Sequence, residues 1–384
     1  MTEILNQFRD EELPPSTVDI SQAVQAGRRR RRIGTGLVAG GVAIALAVAG
    51  ATAPIWLSPR PSPVPPAAPM CDSPVPAQPS MPAWEQFCPL SYEIDASGVT
   101  GYKVKTSVTS TYWQFVELDT GNRRVSVYLY AGGGEPHYLD AGQAAPFDPG
   151  AGEPADPIGN APAYWLPPDK LDPSGDPAQG LAWQWTPGAW VIVLASAPEQ
   201  DPSTVDPAEL RAIATQVAPQ LELGVGTPVT SPFSLPVPEG LDPAFTVMRW
   251  ASDFGEQFAT GFSIGFDAVG TAEPTHPLRD YVPAFAVEAS PFSTRDKRPA
   301  TATEYPEDLG FPAYQAVLTP GSQVADVLLV YDFFGFGMQI GPVNMPGAST
   351  GAERLSLAAD LFRTITVYPG AADREEAWGS PIAP

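Results

Sequence analysis

Tyr112-Trp113-Gln114-Phe115-Val116, then Asp119-Thr120-Gly121-Asn122, then Val125-Ser126-Val127-Tyr128-Leu129 reads as a strand, a turn and a second strand. Aromatic and β-branched residues favour strands, and Asp and Gly supply the backbone angles of a tight turn. A later stretch has the same order. Phe245-Thr246-Val247-Met248-Arg249-Trp250 leads to Asp253-Phe254-Gly255-Glu256 and then to Phe262-Ser263-Ile264-Gly265-Phe266.

The likeness extends outward from these hairpins. Pro89-Leu90-Ser91-Tyr92-Glu93-Ile94 precedes the first and Pro232-Phe233-Ser234-Leu235-Pro236-Val237 precedes the second. Pro162-Ala163-Tyr164 is followed later by Pro312-Ala313-Tyr314, and apolar strands are expected at 181–185 and 190–195, then at 327–331 and 337–340. Each half closes on a stretch with helical spacing, 207–217 behind the capping Asp206 and 353–362. The shared order predicts a duplication; two unrelated β-rich domains with common turn chemistry are the alternative. The expected fold class is α+β: one transmembrane helix, then two similar antiparallel-sheet modules of five or six strands, each with a C-terminal helix. The modules are expected at 83–222 and 232–370, with a joint at 223–231 and a C-terminal tail at 371–384.

Ahead of the modules, residues 58–82 hold ten prolines and read as an extended linker. Cys71 and Cys88, the two cysteines of the chain, flank its end and are expected to form a disulfide if the chain is exported. Residues 33–57 carry no charge and are long enough for a helix to cross a bilayer with tilt. Arg28, Arg29, Arg30, Arg31 and Arg32 precede this run, and Trp56 lies near its far end. The positive-inside rule then puts residues 1–32 in the cytoplasm as a short tail and the rest outside. A cleaved export signal is the alternative, with Ala51-Thr52-Ala53 as the cut. Pro54 after that cut and the length of the run favour a retained anchor.

Beyond residue 33 the chain holds 15 basic and 38 acidic residues. That balance argues against nucleic acid as a partner, since phosphates need a basic surface. Solubility is its plain consequence, and attraction to a basic ligand the sharper one.

Apparent catalytic motifs are weak. Gly261-Phe262-Ser263-Ile264-Gly265 fits G-x-S-x-G, yet it lies in an alternating strand with no helix behind it. The two histidines, in Glu135-Pro136-His137 and Glu273-Pro274-Thr275-His276, fall in comparable proline-bearing loops and make a poor metal signature. Gly132-Gly133-Gly134 precedes no helix or lysine, so it is no phosphate loop. Trp165, Trp183, Trp185 and Trp190 are dense enough for a sugar or peptide platform, although core packing explains them equally. Tyr314-Gln315 stands in the second half where Tyr164-Trp165 stands in the first, so a binding surface is expected in the first half.

The segment Val18-Asp19-Ile20-Ser21-Gln22-Ala23-Val24-Gln25-Ala26-Gly27, with the arginines and the Ala/Gly/Val run, resembles the N-terminus of single-pass membrane proteins of high-GC actinobacteria. The resemblance covers about 50 residues and implies a plasma-membrane anchor with an outside domain. Together these readings predict a membrane-anchored extracytoplasmic protein, a non-catalytic binding or sensing module of the cell envelope without cofactor or metal. Its expected partners are the membrane and an envelope ligand. An envelope hydrolase using carboxylates, or a signal regulator acting through residues 1–32, are the alternatives.

Overall fold

A computed structural model describes residues 86–383 apart from 121–122, 133, 135, 137–146, 168–176, 198–204, 254–255, 270–282, 292–298, 300, 319–324, 343–349 and 374. All described residues belong to one compact unit, 63–384.

The first half supplies nine strands: β1 (Ser91–Asp95), β2 (Lys103–Ser110), β3 (Trp113–Asp119), β4 (Arg124–Tyr130), β5 (Glu153–Ile158), β6 (Ala161–Leu166), β7 (Ala178–Thr186), β8 (Ala189–Ser196) and β9 (Glu222–Pro228). Helix α1 (Pro207–Val217) lies between β8 and β9. The second half supplies β10 (Phe233–Ser234), β11 (Leu241–Asp253), β12 (Glu256–Ala268), β13 (Phe285–Pro291), β14 (Thr303–Glu304), β15 (Ala313–Leu318), β16 (Ala325–Phe333), β17 (Phe336–Pro342) and β18 (Thr366–Val367). Helix α2 (Gly351–Phe362) precedes β18.

Fourteen of these strands form one antiparallel sheet in the order β14-β15-β16-β17-β13-β12-β11-β2-β3-β4-β8-β7-β6-β5. Two ribbons, β1-β9 and β10-β18, lie outside it. This corrects the expected fold class. The two sheets anticipated as separate modules are one sheet, because β2 and β11 each present an open edge and pair with one another. The architecture is mostly antiparallel β, with two α-helices among the described residues. No described helix is long and apolar enough to cross a membrane. The expected span at 33–57, with Arg28, Arg29, Arg30, Arg31, Arg32 and Trp56, lies outside the described residues, so the membrane reading finds no support here.

Strand order is the same outward from the β2–β11 pair in both arms, and so is the register. Val108 faces Val247 at the centre. On one side a ladder runs Ser107, Val116, Val127, Val193, Leu181, Trp165 and Glu153. On the other it runs Thr246, Ile264, Val287, Ile340, Leu328, Gln315 and Thr303. Gln315 thus occupies the place of Trp165. The hairpin likeness at 112–129 and 245–266 is displaced by one strand: β11 is the counterpart of β2, and Ser263 that of Phe115.

Both helices pack against the same two strand positions, α1 on β7 and β8 and α2 on β16 and β17. Asp206 caps α1 by accepting from the Ala208 N–H, and Thr350 and Glu353 form a reciprocal capping box on α2. Arg211 of α1 donates to Gln179 of β7, and Arg354 of α2 donates to Asp326 of β16 at the matching register. Alternation does the rest. Val116, Leu118, Val125 and Val127 are buried beneath α1, while Phe262, Ile264, Phe266 and Ile340 are buried beneath α2.

The seam is locked by a polar cluster. The Thr109 and Thr246 hydroxyls are 2.7 Å apart, and both reach the Pro89 carbonyl. Each hydroxyl has one proton, so two of these three contacts are made at once. Phe87 packs into the first arm's core while Cys88 and Leu90 pack into the second's, so one short segment spans both. The residues expected as a C-terminal tail are built in as well: Gly379 bridges Ser231, and Ile382 is buried against the second core.

Candidate functional site

The β1-β9 ribbon crosses the helix-bearing face beside the seam. Gln114 of β3 substitutes for a strand neighbour there. Its amide donates to the Ser91 carbonyl at 2.8 Å, and its oxygen accepts the Glu93 N–H at 2.8 Å. Glu93 itself is fully buried, its carboxylate accepting from the Ser91 hydroxyl at 3.0 Å and the Gly226 N–H at 3.1 Å. Tyr92 and Ile94 stand two residues apart in β1, so strand alternation puts both on one side of the ribbon.

That side is a cleft of about 450 Å³. Tyr92 and Ile94 form one wall, with Asp95 and Ser97 beyond them. Tyr102, Lys103, Val104 and Ser107 come from β2 and the turn before it. Trp250 of β11 and Glu375 near the C-terminus close the far side, so residues from both arms line it.

Two polar groups in the cleft are poorly provided for. The Tyr92 hydroxyl is shut off from solvent and has no hydrogen-bond partner, although the residue as a whole is partly exposed. Burial pushes its phenol well above the usual range, and the negative charge of Glu375 adds to this. Glu375 is an exposed residue at the rim of the cleft. Burial raises its carboxyl, and the Trp250 indole N–H, donating at 3.4 Å, offsets some of that. A shielded hydroxyl without a partner costs about 1–3 kcal/mol unless something arrives to bond it.

The other residues singled out in the sequence fall elsewhere. Cys88 is buried and is not a free cysteine, while Cys71 lies outside the described residues. Ser263 sits inside the 13-residue strand β12, where no strand-to-helix turn exposes it. His137 and His276 lie outside the described residues. The first follows β4 and the second follows β12, strands that are not counterparts, so their loops are not comparable. Gly134 closes a turn beneath which a Cβ would stand 2.5 Å from the Tyr112 carbonyl oxygen, a packing reason for that glycine run. The four tryptophans divide. Trp183 is core, Trp185 packs on it, and Trp165 lies under the Arg211 guanidinium at 4.8 Å. Trp190 lies on the opposite face, against Tyr130 and Ile192. Among the described residues no cluster of His, Cys, Asp and Glu could hold a metal ion.

Tyr92, Tyr102, Trp250 and Glu375 carried no signal in the sequence. They are spread over nearly 300 positions and share no motif. Only the seam brings them together. Comparison with known protein families, characterised proteins and solved structures gives no match to this chain.

Glu93 yields a first prediction. Burial raises its carboxyl above the ordinary range against the opposing effect of its Ser91 and Gly226 donors. The folded state therefore holds this proton more tightly than the unfolded chain does. The stability it contributes is complete below the unfolded value of about 4.3 and is lost as pH rises through the raised folded value. Glu93→Gln keeps an acceptor for Gly226 and removes the charge. Its urea midpoint will exceed the wild type's at pH 7.5, by on the order of 1 kcal/mol, and the difference will vanish near pH 4. A lower midpoint at pH 7.5 would mean that the ionised carboxylate stabilises the ribbon.

Proposed function

We propose that this protein is a non-catalytic binding module whose ligand occupies the cleft at the seam. The observation that carries this reading is the Tyr92 hydroxyl, shielded and unpartnered in a cleft walled by aromatic rings. Binding sites have this character, mostly apolar with a few placed polar groups. The Tyr92 hydroxyl is shut off from solvent, so a ligand bonds it once the ring shifts. The placement of the protein outside the cytoplasm belongs to the same proposal and rests on the N-terminal sequence alone.

Thermal-shift screening of the full chain against small polar organic compounds tests it. At least one compound will raise the melting temperature, and Tyr92→Phe will weaken that response while leaving the unliganded melting temperature within a few degrees. Mass spectrometry of the bound compound will recover it unchanged. Recovery of a reaction product, or a response indifferent to Tyr92→Phe, would overturn the reading.

A further inference from the structure

We infer that the ligand of this cleft is a neutral saccharide of one or two rings, an inference that rests on the binding reading above. Four features of the cleft select for it. First, Glu375 offers carboxylate oxygens, which only accept, while the Tyr92 hydroxyl, which donates or accepts, is reached once its ring shifts. A ligand hydroxyl can donate to the carboxylate and still accept from the phenol, so one group serves both. An apolar ligand would leave the phenol unbonded and the carboxylate with only its 3.4 Å bond from Trp250, at a cost of several kcal/mol.

Second, the charges are mixed. Asp95 and Glu375 face the cleft together with Lys103, so neither a strongly anionic nor a strongly cationic ligand meets a wall of opposite sign. Third, Ser97, Ser107 and Thr227 add short hydroxyl side chains around the same space, where a polyhydroxylated molecule finds partners in several directions. Fourth, Tyr92, Tyr102 and Trp250 supply flat apolar faces for the C–H face of a sugar ring. The space of about 450 Å³ admits one or two pyranose rings and excludes a long chain from lying wholly inside.

The site belongs to the joined sheet rather than to either arm. Trp250 and Glu375 come from the second half and the remaining lining residues from the first. This differs from the expected first-half surface, since Trp165, Trp183, Trp185 and Trp190 do not line the cleft.

The test uses the full chain and a panel of maltose, cellobiose, trehalose and N,N′-diacetylchitobiose, with spermidine and benzamidine as cationic probes. Calorimetry and tryptophan emission are the readouts. At least one disaccharide will bind, and Trp250 will report it by a shift in emission. Glu375→Gln, at an exposed position that leaves folding intact, will weaken binding about tenfold, and Tyr92→Phe by a similar factor. Trp250→Phe will abolish most of the emission change while binding persists in calorimetry. If only a cationic probe binds, and binding still falls in Glu375→Gln, the saccharide inference fails while the binding reading stands. If a disaccharide binds but neither Glu375→Gln nor Tyr92→Phe weakens it, the sugar lies elsewhere and both fail. If no compound on this panel or in the wider screen binds, both also fail.

Discussion

Val247→Pro will destabilise the protein by several kcal/mol and split its unfolding into two transitions. Val247 lies in β11 with β2 on one side and β12 on the other, facing Val108 across the centre of the sheet. Proline removes a ladder N–H and does not fit a central strand. Most contacts within each arm survive the change, whereas the hydrogen-bonded connection between the arms does not. Urea unfolding followed by tryptophan emission and by far-ultraviolet dichroism reads the outcome. The wild type will show coincident curves, and the variant will show curves that separate. Coincident curves in the variant would mean that the arms are coupled elsewhere, through Cys88 and Leu90 or through the built-in C-terminus.

Phe262→Ala carries the next largest effect, a loss of about 4 kcal/mol. Phe262 is fully buried and meets the edge of Phe233 with ring centroids 5.6 Å apart. It also has a telling counterpart. In the matched register Phe262 stands where Gln114 stands in the first arm. Gln114 holds the ribbon strand β1 by two hydrogen bonds, while Phe262 holds β10 through aromatic packing. The same task is done by polar chemistry beside the cleft and by apolar chemistry away from it. Removal of the ring leaves a cavity among Phe233, Ile264 and Phe266 that rigid strands cannot close. A urea midpoint corresponding to a loss below about 1.5 kcal/mol would show that the neighbours collapse into the space.

The strands and helices were legible where local chemistry decides them. The apolar runs at 181–185, 190–195, 327–331 and 337–340 lie within β7, β8, β16 and β17, and Asp206 does cap α1. Pairing between the arms was not legible, because nothing local distinguishes an edge that meets solvent from one that meets a partner 139 residues away. The hairpin match failed for a related reason. An Asp-x-Gly sequence follows β3 in one arm and β11 in the other, and turn chemistry signals a turn without recording which one. The cleft residues were hidden by distance. Trp250 and Glu375 meet only through a strand bulge and a C-terminal segment that reads as a plain tail.

An antiparallel sheet that grows by adding strands side by side has no intrinsic limit, and this one has two ends. One end is β5, Glu153-Pro154-Ala155-Asp156-Pro157-Ile158, whose prolines lack the N–H that a newcomer would bond and whose acids repel a like edge. The other is β14, two residues long. Neither offers a template for a further chain. Among the described residues, the inner edges of the sheet thus pair with each other, and its outermost strands are poor templates. Replacement of Pro154 and Pro157 would restore two N–H groups to β5 and so weaken its protection against pairing with a second edge.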